Sequence, residues 1–439
     1  MRENMEHVTE FLEKSFGKMA VFLTTQRHTS AIINGLTVAI PLTIIGGFTT
    51  LLTSAPTLES VSASSVLGKV LSGWQSLSMA LGGFGTMVNN LTLGLLSLYV
   101  LLSITYLLAG SYQMDQVMSC VTSVLVFVMV AAPLGLYGEV SAIPSKFLDA
   151  KGLFTAIIIP CLTVEISHLL IKKNVKIHLP DSVPSNVAAP FEALIPIVLN
   201  ILIFYVVSYG CQKLTGALLP QLILDIMKPL LSTSDSLGAA VIYALLMNGL
   251  WAFGIHGGNI CNSIMTPIFL MNLAANAAAK AKGAEMTSVM VTGWNNFAAN
   301  YGGAGAAMAL VIAALLTARS VHVKTIIKLG GFPTLFNINE PIIFGLPTVL
   351  NSYLMAPFIL CPLLNSVVTY LCMSLNIVGK VYINVPWVLP SPLALYLGTM
   401  DWKAPLMWLI LLILDVIIYI PFMKAYDNQK LKEERNEAN

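Results

Sequence analysis

Charge is scarce in this sequence. Asp, Glu, Lys and Arg make up 10% of its 439 residues and hydrophobic residues 56%, whereas soluble domains carry about 25% charged residues. That excludes a soluble globular enzyme and reads as an all-α polytopic membrane protein, long enough for roughly eight to twelve spans at about 20 residues each. Cysteine is sparse as well: Cys120, Cys161, Cys211, Cys261, Cys361 and Cys372 lie scattered in apolar runs without CxxC or Cys/His spacing. They read as small buried hydrophobes, which leaves no metal or redox centre to expect. The net charge of +2 offers no basic surface for a nucleic acid. No GxxxxGK[ST] loop is present, so ATP hydrolysis by this chain is excluded and any driving force must come from an ion gradient or a partner protein. Met1 to Ser30 lacks the basic start, short apolar run and small-residue cleavage site of a secretory signal, so the first span is expected to be retained. No internal repeat is legible.

What is present is a series of apolar runs separated by polar punctuation. Val8 to Met19 has its apolar residues at helical spacing with charges between, the pattern of a surface-lying amphipathic helix or of a packed soluble one. Spans are expected at about 31–52, 91–109, 117–136, 154–171 and 193–207, with a Ser/Thr/Pro-rich loop from the first of them to Gly73. Lys14, Lys18 and Arg27 precede the first span, and Lys172, Lys173 and Lys176 follow the fourth. Both loops are thus expected on the cytoplasmic side, with the N-terminus inside. Residues 213–232 mix Leu and Ile with Lys213, Asp225, Lys228 and prolines, as a helix connecting two halves would. The expected organisation is therefore a cytoplasmic segment 1–30, a first membrane domain 31–212, a connecting helix 213–232, a second membrane domain 233–423 and a solvated cytoplasmic tail 424–439. Within the second domain the sequence predicts a span at 237–253, an apolar stretch at 264–273, an alanine-rich linker at 274–284, and spans at 306–317, 350–375 and 406–421. With both ends inside, the span count must be even, and ten is expected.

Two places in the second half set ionisable side chains in broken apolar backbone. One is Gly254-Ile255-His256-Gly257-Gly258-Asn259; the other is Asn337-Ile338-Asn339-Glu340-Pro341, running on to Pro347. A carboxylate at membrane depth costs several kcal/mol, in the range of about 2.5 or more, and must therefore face protein, water or substrate. Pro341 and Pro347 each remove a backbone donor, so the stretch cannot be one uninterrupted helix. A carrier of a neutral, hydroxyl-rich substrate needs such groups, because side chains must replace the water stripped from each hydroxyl. Candidate ligands are Glu340, His256, Gly257, Asn337, Asn339, Asn259, Asn295, Asn296 and Asn300, with Trp251, Trp294 and Trp387 able to stack on a sugar ring. The bland alternatives stay open: a helix-bridging histidine, and core or interface tryptophans. Glu165 and His168, one turn apart, read as a structural pair, and Glu192 as a first-turn helix residue. Glu340 and His256 would equally suit a proton relay. An intramembrane lipid enzyme finds no nucleophile and base at usable spacing.

Residues 337–347, Asn-Ile-Asn-Glu-Pro-Ile-Ile-Phe-Gly-Leu-Pro, resemble the signature of the sugar-translocating IIC component of the phosphoenolpyruvate-dependent phosphotransferase system, in its lactose/cellobiose/chitobiose family. Residues 179–184 with 191–196, and Gln26-Arg27-His28 leading into Ala39-Ile40-Pro41-Leu42, agree with it. Ile33-Asn34-Gly35 departs where many relatives carry an Arg-Asp pair, and Asn351-Ser352 where Asn-Pro is common. The resemblance implies ten helices, a dimerising N-terminal half, and a C-terminal half with two re-entrant hairpins that holds a β-linked disaccharide and moves against the first half. It implies that Glu340 orients or deprotonates the hydroxyl that accepts phosphate and that His256 holds it. It also implies a phosphocysteine donor on a IIB protein supplied through IIA, expected as separate chains here, and hence the cellobiose or diacetylchitobiose branch. The implied place is the bacterial cytoplasmic membrane, and no cofactor is expected.

Overall fold

The computed structural model describes residues 25–53, 66–133, 135–137, 140–180, 183–252, 256–346, 348, 351 and 353–437. Residues 8–19, expected to form an amphipathic helix, lie outside them. The chain divides into two compact units, Phe22–Leu230 and a second that runs from Leu231 to Asn439.

The first unit is built on α1 (Arg27–Leu36), α2 (Ala39–Thr53), α3 (Val66–Thr92), α4 (Leu96–Ser111), α5 (Gln116–Ala131), α6 (Leu153–Lys172), α7 (Ser185–Thr215) and most of α8 (Leu219–Ser234). Helix α4 is central, packed against α1, α5 and α6. Its buried face, Leu96, Val100, Leu101, Ile104 and Leu108, recurs every three or four residues, the spacing that keeps one stripe of a helix inside. Leu101 joins Val126, Phe127, Val130, Ala156, Ile159 and Phe204 in one apolar core.

Three local expectations change here, and a fourth, the structural role of Glu165 and His168, gains its partner. The part of the expected loop from Val66 to Gly73 is helical, as the start of α3. The third expected span stops at Ala131, and an antiparallel hairpin follows, Gly135–Tyr137 (β1) on Val140–Ala142 (β2), with Leu136 opposite Ser141. Glu192 lies inside α7, beyond its first turn, and pairs with Lys176 at 2.8 Å. Glu165 and His168 meet around Tyr112: Glu165 accepts the Tyr112 hydroxyl and lies 2.9 Å from His28, while His168 stacks on the Tyr112 ring at 4.3 Å.

The second unit comprises α9 (Leu237–Ala252), α10 (Gly257–Ala281), α11 (Ala307–Thr317), α12 (Val321–Gly330), α13 (Glu340–Gly345), α14 (Met355–Ser374), α15 (Ser391–Thr399) and α16 (Lys403–Glu437). The expected alanine-rich linker is mostly helix, because α10 continues to Ala281 and alanine is the best helix former. The expected solvated tail is also helix. Helix α16 has 35 residues, about 52 Å at 1.5 Å per residue, against a hydrocarbon core of about 30 Å. Its far end is anchored: Asp427, 2% exposed, accepts from the backbone N–H groups of Arg319 and Ser320 at 2.8 and 3.0 Å, and Glu434 accepts from His322 N at 2.9 Å. These bonds satisfy donors at the start of α12 that no helical carbonyl can reach.

By length and composition, five stretches among the described residues can cross a membrane: Ser72–Ser111, Ala150–Lys172, Val187–Thr215, Met355–Ser374 and Lys403–Asn436. Shorter apolar helices, α5 and α11, accompany them. The protein is an integral, multi-pass, almost wholly helical membrane protein.

Candidate functional site

The broken backbone of the second unit positions two of the expected residues, His256 and Glu340. After α12 the chain makes a tight turn over Phe332–Phe336 and then places Asn337 in the left-handed region at φ 61°, a conformation that Asn tolerates better than most residues. Helix α13 starts three residues later, at Glu340. The Asn339 carbonyl accepts from Ile342 N and Ile343 N at 3.0 and 2.9 Å, and Pro341 sits in the first turn, where a missing N–H costs nothing. Glu340 is thereby the first helical residue, and its side chain is exposed.

His256 stands just before α10, held there by the close approach of α10 to α9. A Cβ on Gly257 would lie 2.0 Å from the Met247 carbonyl oxygen, so only glycine lets α10 begin at this point. The result is a His256 ring 4.4 Å from that of Trp251, which is itself buried at 7% exposure. The Glu340 carboxylate lies within electrostatic range of His256. Trp251 packs in one buried apolar cluster with Ala252, Ala304, Ile343 and Phe358. An exposed imidazole beside an indole ring, with an exposed acid in electrostatic range of it, can hydrogen-bond the hydroxyls of a ligand while the aromatic ring offers an apolar face.

Asn337 is placed differently from a ligand-binding amide. Its Nδ2 donates to the carbonyls of Trp387 and Leu389 at 2.7 and 3.0 Å, and its Oδ1 accepts from Gly302 N at 2.9 Å and from Ser391 Oγ at 3.1 Å. Two donors and two lone pairs are thus all used within the protein. Asn339, 5% exposed, donates to the Ala304 carbonyl at 2.8 Å. Gly303, at φ +99°, passes so close to it that a Cβ there would sit 2.3 Å from Asn339 Cγ.

The remaining asparagines brace rather than line. Asn295 and Asn300 are buried, Asn300 Nδ2 donates to Asn295 Oδ1 at 2.9 Å, and Asn295 Nδ2 lies 3.1 Å from Met247 Sδ. Asn248 Oδ1 accepts from Gly305 N at 2.9 Å. The side chains of Asn259 and Asn296 fall outside the described ones. Trp294 is completely buried, so it has no face left for a sugar, whereas Trp387 is half exposed beside Asn337. No cluster of His, Cys, Asp and Glu suited to a metal occurs among the described residues.

Sequence reading passed over Asp415. It lies in the middle of α16 with no exposure, accepts the Tyr301 hydroxyl, and accepts from Asn365 Nδ2 at 2.7 Å. The signal was available: a single carboxyl inside an otherwise apolar run from Leu406 to Ile420.

Comparison with known proteins places this arrangement. The family model "Phosphotransferase system, EIIC" matches residues 33–362. The lichenan permease IIC component of Bacillus subtilis is 32% identical over 98% of this chain and 96% of its own length. A lactose-specific EIICB component of Lacticaseibacillus casei is 32% identical over 66% of this chain and 50% of its own length. Among solved structures, the transporter ChbC, the IIC component of the N,N'-diacetylchitobiose-specific phosphotransferase system, superposes with a TM-score of 0.85 at 30% identity, covering 97% of this chain and 99% of that one. The broken helices, the motif around Glu340 and these similarities together show that the chain belongs to the phosphotransferase-system EIIC family, among its sugar permeases of the lactose/cellobiose/chitobiose type.

Proposed function

We propose that the second unit binds a β-linked disaccharide, cellobiose or N,N'-diacetylchitobiose, between Glu340 and His256 and presents its 6-hydroxyl to the phosphocysteine of a IIB partner. The observation that carries this reading is that two exposed ionisable side chains, His256 beside the buried Trp251 ring and Glu340 at the start of α13, lie within electrostatic range of each other. In the transfer step the 6-hydroxyl oxygen attacks phosphorus and the phosphorus–sulfur bond breaks, its electron pair leaving on the cysteine sulfur. The hydroxyl proton passes to Glu340, and His256 keeps the same hydroxyl in line by a hydrogen bond. Gly257 lets α10 start against the Met247 carbonyl directly after His256, Trp387 offers a half-exposed indole face, and Asn339 fixes the backbone on which Glu340 stands. Asn337 acts through its hold on residues 387–391, and Asn296 remains a candidate ligand from the segment 295–299.

The sugars named for the relatives, lichenan, lactose and diacetylchitobiose, are all β-linked, which supports the substrate class. The partner reading is supported by the lactose relative, whose name joins IIC to IIB in one protein. In this proposal IIB and IIA are separate chains, residues 31–212 form the face of a homodimer, and residues 233–423 carry the sugar by moving against it. The membrane is the bacterial cytoplasmic one, with both termini inside.

The Glu340–His256 proximity also suits a proton relay in an ion-coupled carrier. Proteoliposomes decide between them: phosphorylated IIB is enclosed or omitted, and uptake of radiolabelled cellobiose and diacetylchitobiose is followed. Sugar 6-phosphate formed only with the partner supports group translocation, and the faster substrate names the branch. Free sugar accumulated under a proton gradient without the partner overturns it in favour of the relay.

A further inference from the structure

The buried carboxyl of Asp415 has no part in the chemistry described above, yet it sits at one end of a continuous set of contacts that leads to Glu340. An ionisable group inside an apolar spanning helix is costly, so it is rare and is found paired within the protein. Asp415 is paired: its Oδ2 takes both the Tyr301 hydroxyl and the Asn365 amide, with the amide nitrogen at 2.7 Å, and Asn365 Nδ2 also reaches the Ala299 carbonyl at 3.2 Å. One turn further along α16, the buried Tyr419 donates to the Gly305 carbonyl at 2.5 Å. Two turns before Asp415, the Trp408 ring meets the edge of Tyr301 at 5.7 Å between centroids. Positions 408, 415 and 419 fall on one face of a 3.6-residue helix, and that face grips both ends of the loop 301–305.

The loop is held by its neighbours: besides the α16 contacts, Gly305 N donates to Asn248 Oδ1 at 2.9 Å and Gly303 N to the Asn300 carbonyl at 2.9 Å. Gly302, Gly303 and Gly305 have positive φ, as does Ala306 just after them, conformations that glycine reaches without steric cost but does not by itself favour. Its other side faces the Glu340 motif: Gly302 N donates to Asn337 Oδ1, the Ala304 carbonyl accepts from Asn339 Nδ2, and Gly303 packs on Asn339 Cγ. Asn339 is the residue whose carbonyl starts α13, and Glu340 is the next in the chain.

We propose that Asp415 is a positioning residue for Glu340, acting through Tyr301 and the glycine loop 301–305. This deepens the sugar-transfer reading and rests on it. The displacement involved is small: releasing Tyr301 lets the loop settle differently, and Asn339 carries that shift to the carboxylate. Transfer is sensitive to such shifts, since a misplacement of about 1 Å at a reacting group costs about 100-fold in rate.

The test uses the full-length chain in proteoliposomes with phosphorylated IIB and the better of the two disaccharides. Asp415→Asn keeps the volume of the side chain, and Tyr301→Phe removes one hydroxyl only. Each is expected to lower the saturated rate of sugar phosphorylation by about 10- to 100-fold, with sugar affinity, measured by calorimetry without IIB, changed by less than about threefold. Built into the Glu340→Gln background, neither is expected to lower the residual rate further, because the group being positioned is already gone. A wild-type rate in both single variants, equal losses in affinity and rate, or losses that multiply with Glu340→Gln each overturn the proposal. Should Asp415→Asn fail to fold, Tyr301→Phe decides alone. A wild-type chain that transfers no phosphate removes the sugar-transfer reading itself and this inference with it, which is a different result from an active wild type with indifferent variants.

Discussion

Asn337→Asp isolates what the central motif does with its amides. The exchange replaces one NH2 by an oxygen at constant volume. Oδ1 can still accept from Gly302 N and Ser391 Oγ, but the two bonds donated to the carbonyls of Trp387 and Leu389, at 2.7 and 3.0 Å, are lost and an oxygen now faces each carbonyl. A buried acceptor left without its donor costs about 1 to 3 kcal/mol. Asn337 is half-buried, so the lower half of that range applies, and two carbonyls give about 2 to 4 kcal/mol in all. Asn337→Ala should cost more. It forfeits all four bonds and adds about 1 kcal/mol or more for placing a residue without a local hydrogen-bonding side chain at φ 61°.

The assay pairs two measurements on the purified protein in detergent: thermal unfolding followed by tryptophan fluorescence, and sugar affinity by calorimetry. If Asn337 serves the protein and not the sugar, affinity falls only in step with the loosening of residues 387–391, and both variants unfold at lower temperature in the order Ala below Asp. An Asn337→Asp protein with undiminished stability and strongly reduced affinity would refute the reasoning. It would mean that the amide spends its bonds on ligand and that the contacts to Trp387 and Leu389 carry no weight.

Three further outcomes are expected. Glu340→Gln keeps the shape of the side chain but loses the base, so it should bind disaccharide near the wild-type affinity while sugar phosphorylation falls by about 10²- to 10⁴-fold; full coupled uptake would remove Glu340 from the mechanism. Gly257→Ala and Gly249→Ala form a matched pair, since the new Cβ meets the Met247 carbonyl at 2.0 Å in the first and nothing within 4 Å in the second. Only the first should abolish sugar binding, and equal binding by the two would mean that α10 does not need its close start on α9. Asp427→Ala deprives the Arg319 and Ser320 N–H groups of their acceptor, a loss of about 1 to 2 kcal/mol of local stability. Hydrogen exchange should then quicken at residues 319–323 and not at 307–314, and unchanged protection there would show that the far end of α16 is not what holds α12.

How much of this was legible in the sequence depended on whether a residue's role was local. Glu340 and His256 stood out because a charge in apolar, glycine- or proline-broken sequence has few places to go, and the structure brings them within electrostatic range of each other. Long spans were legible to within a residue or two where hydropathy was continuous, as at Leu153–Lys172, expected from 154 to 171. The hairpin of Gly135–Tyr137 and Val140–Ala142 was not, because three apolar or small residues in extended form look like the end of the preceding span. Nor was the helical end of the chain, where high charge read as solvation although Asp427 is buried as an acceptor for a loop more than 100 residues earlier. Asn337 and Asp415 mark the same limit from opposite sides. Each is a polar side chain whose partners are distant in sequence, Trp387 and Leu389 for the first and Tyr301 and Asn365 for the second. Composition alone made the first look like a ligand and hid the second inside a span. A membrane interior leaves no buried polar group to water, so every such residue must be assigned a partner before it is assigned a substrate. Applied to the second unit, that rule assigns Asn295, Asn300, Asn337 and Asn339 to partners inside the protein, and it leaves the exposed side chains of Glu340 and His256 as the ones offered to the proposed sugar.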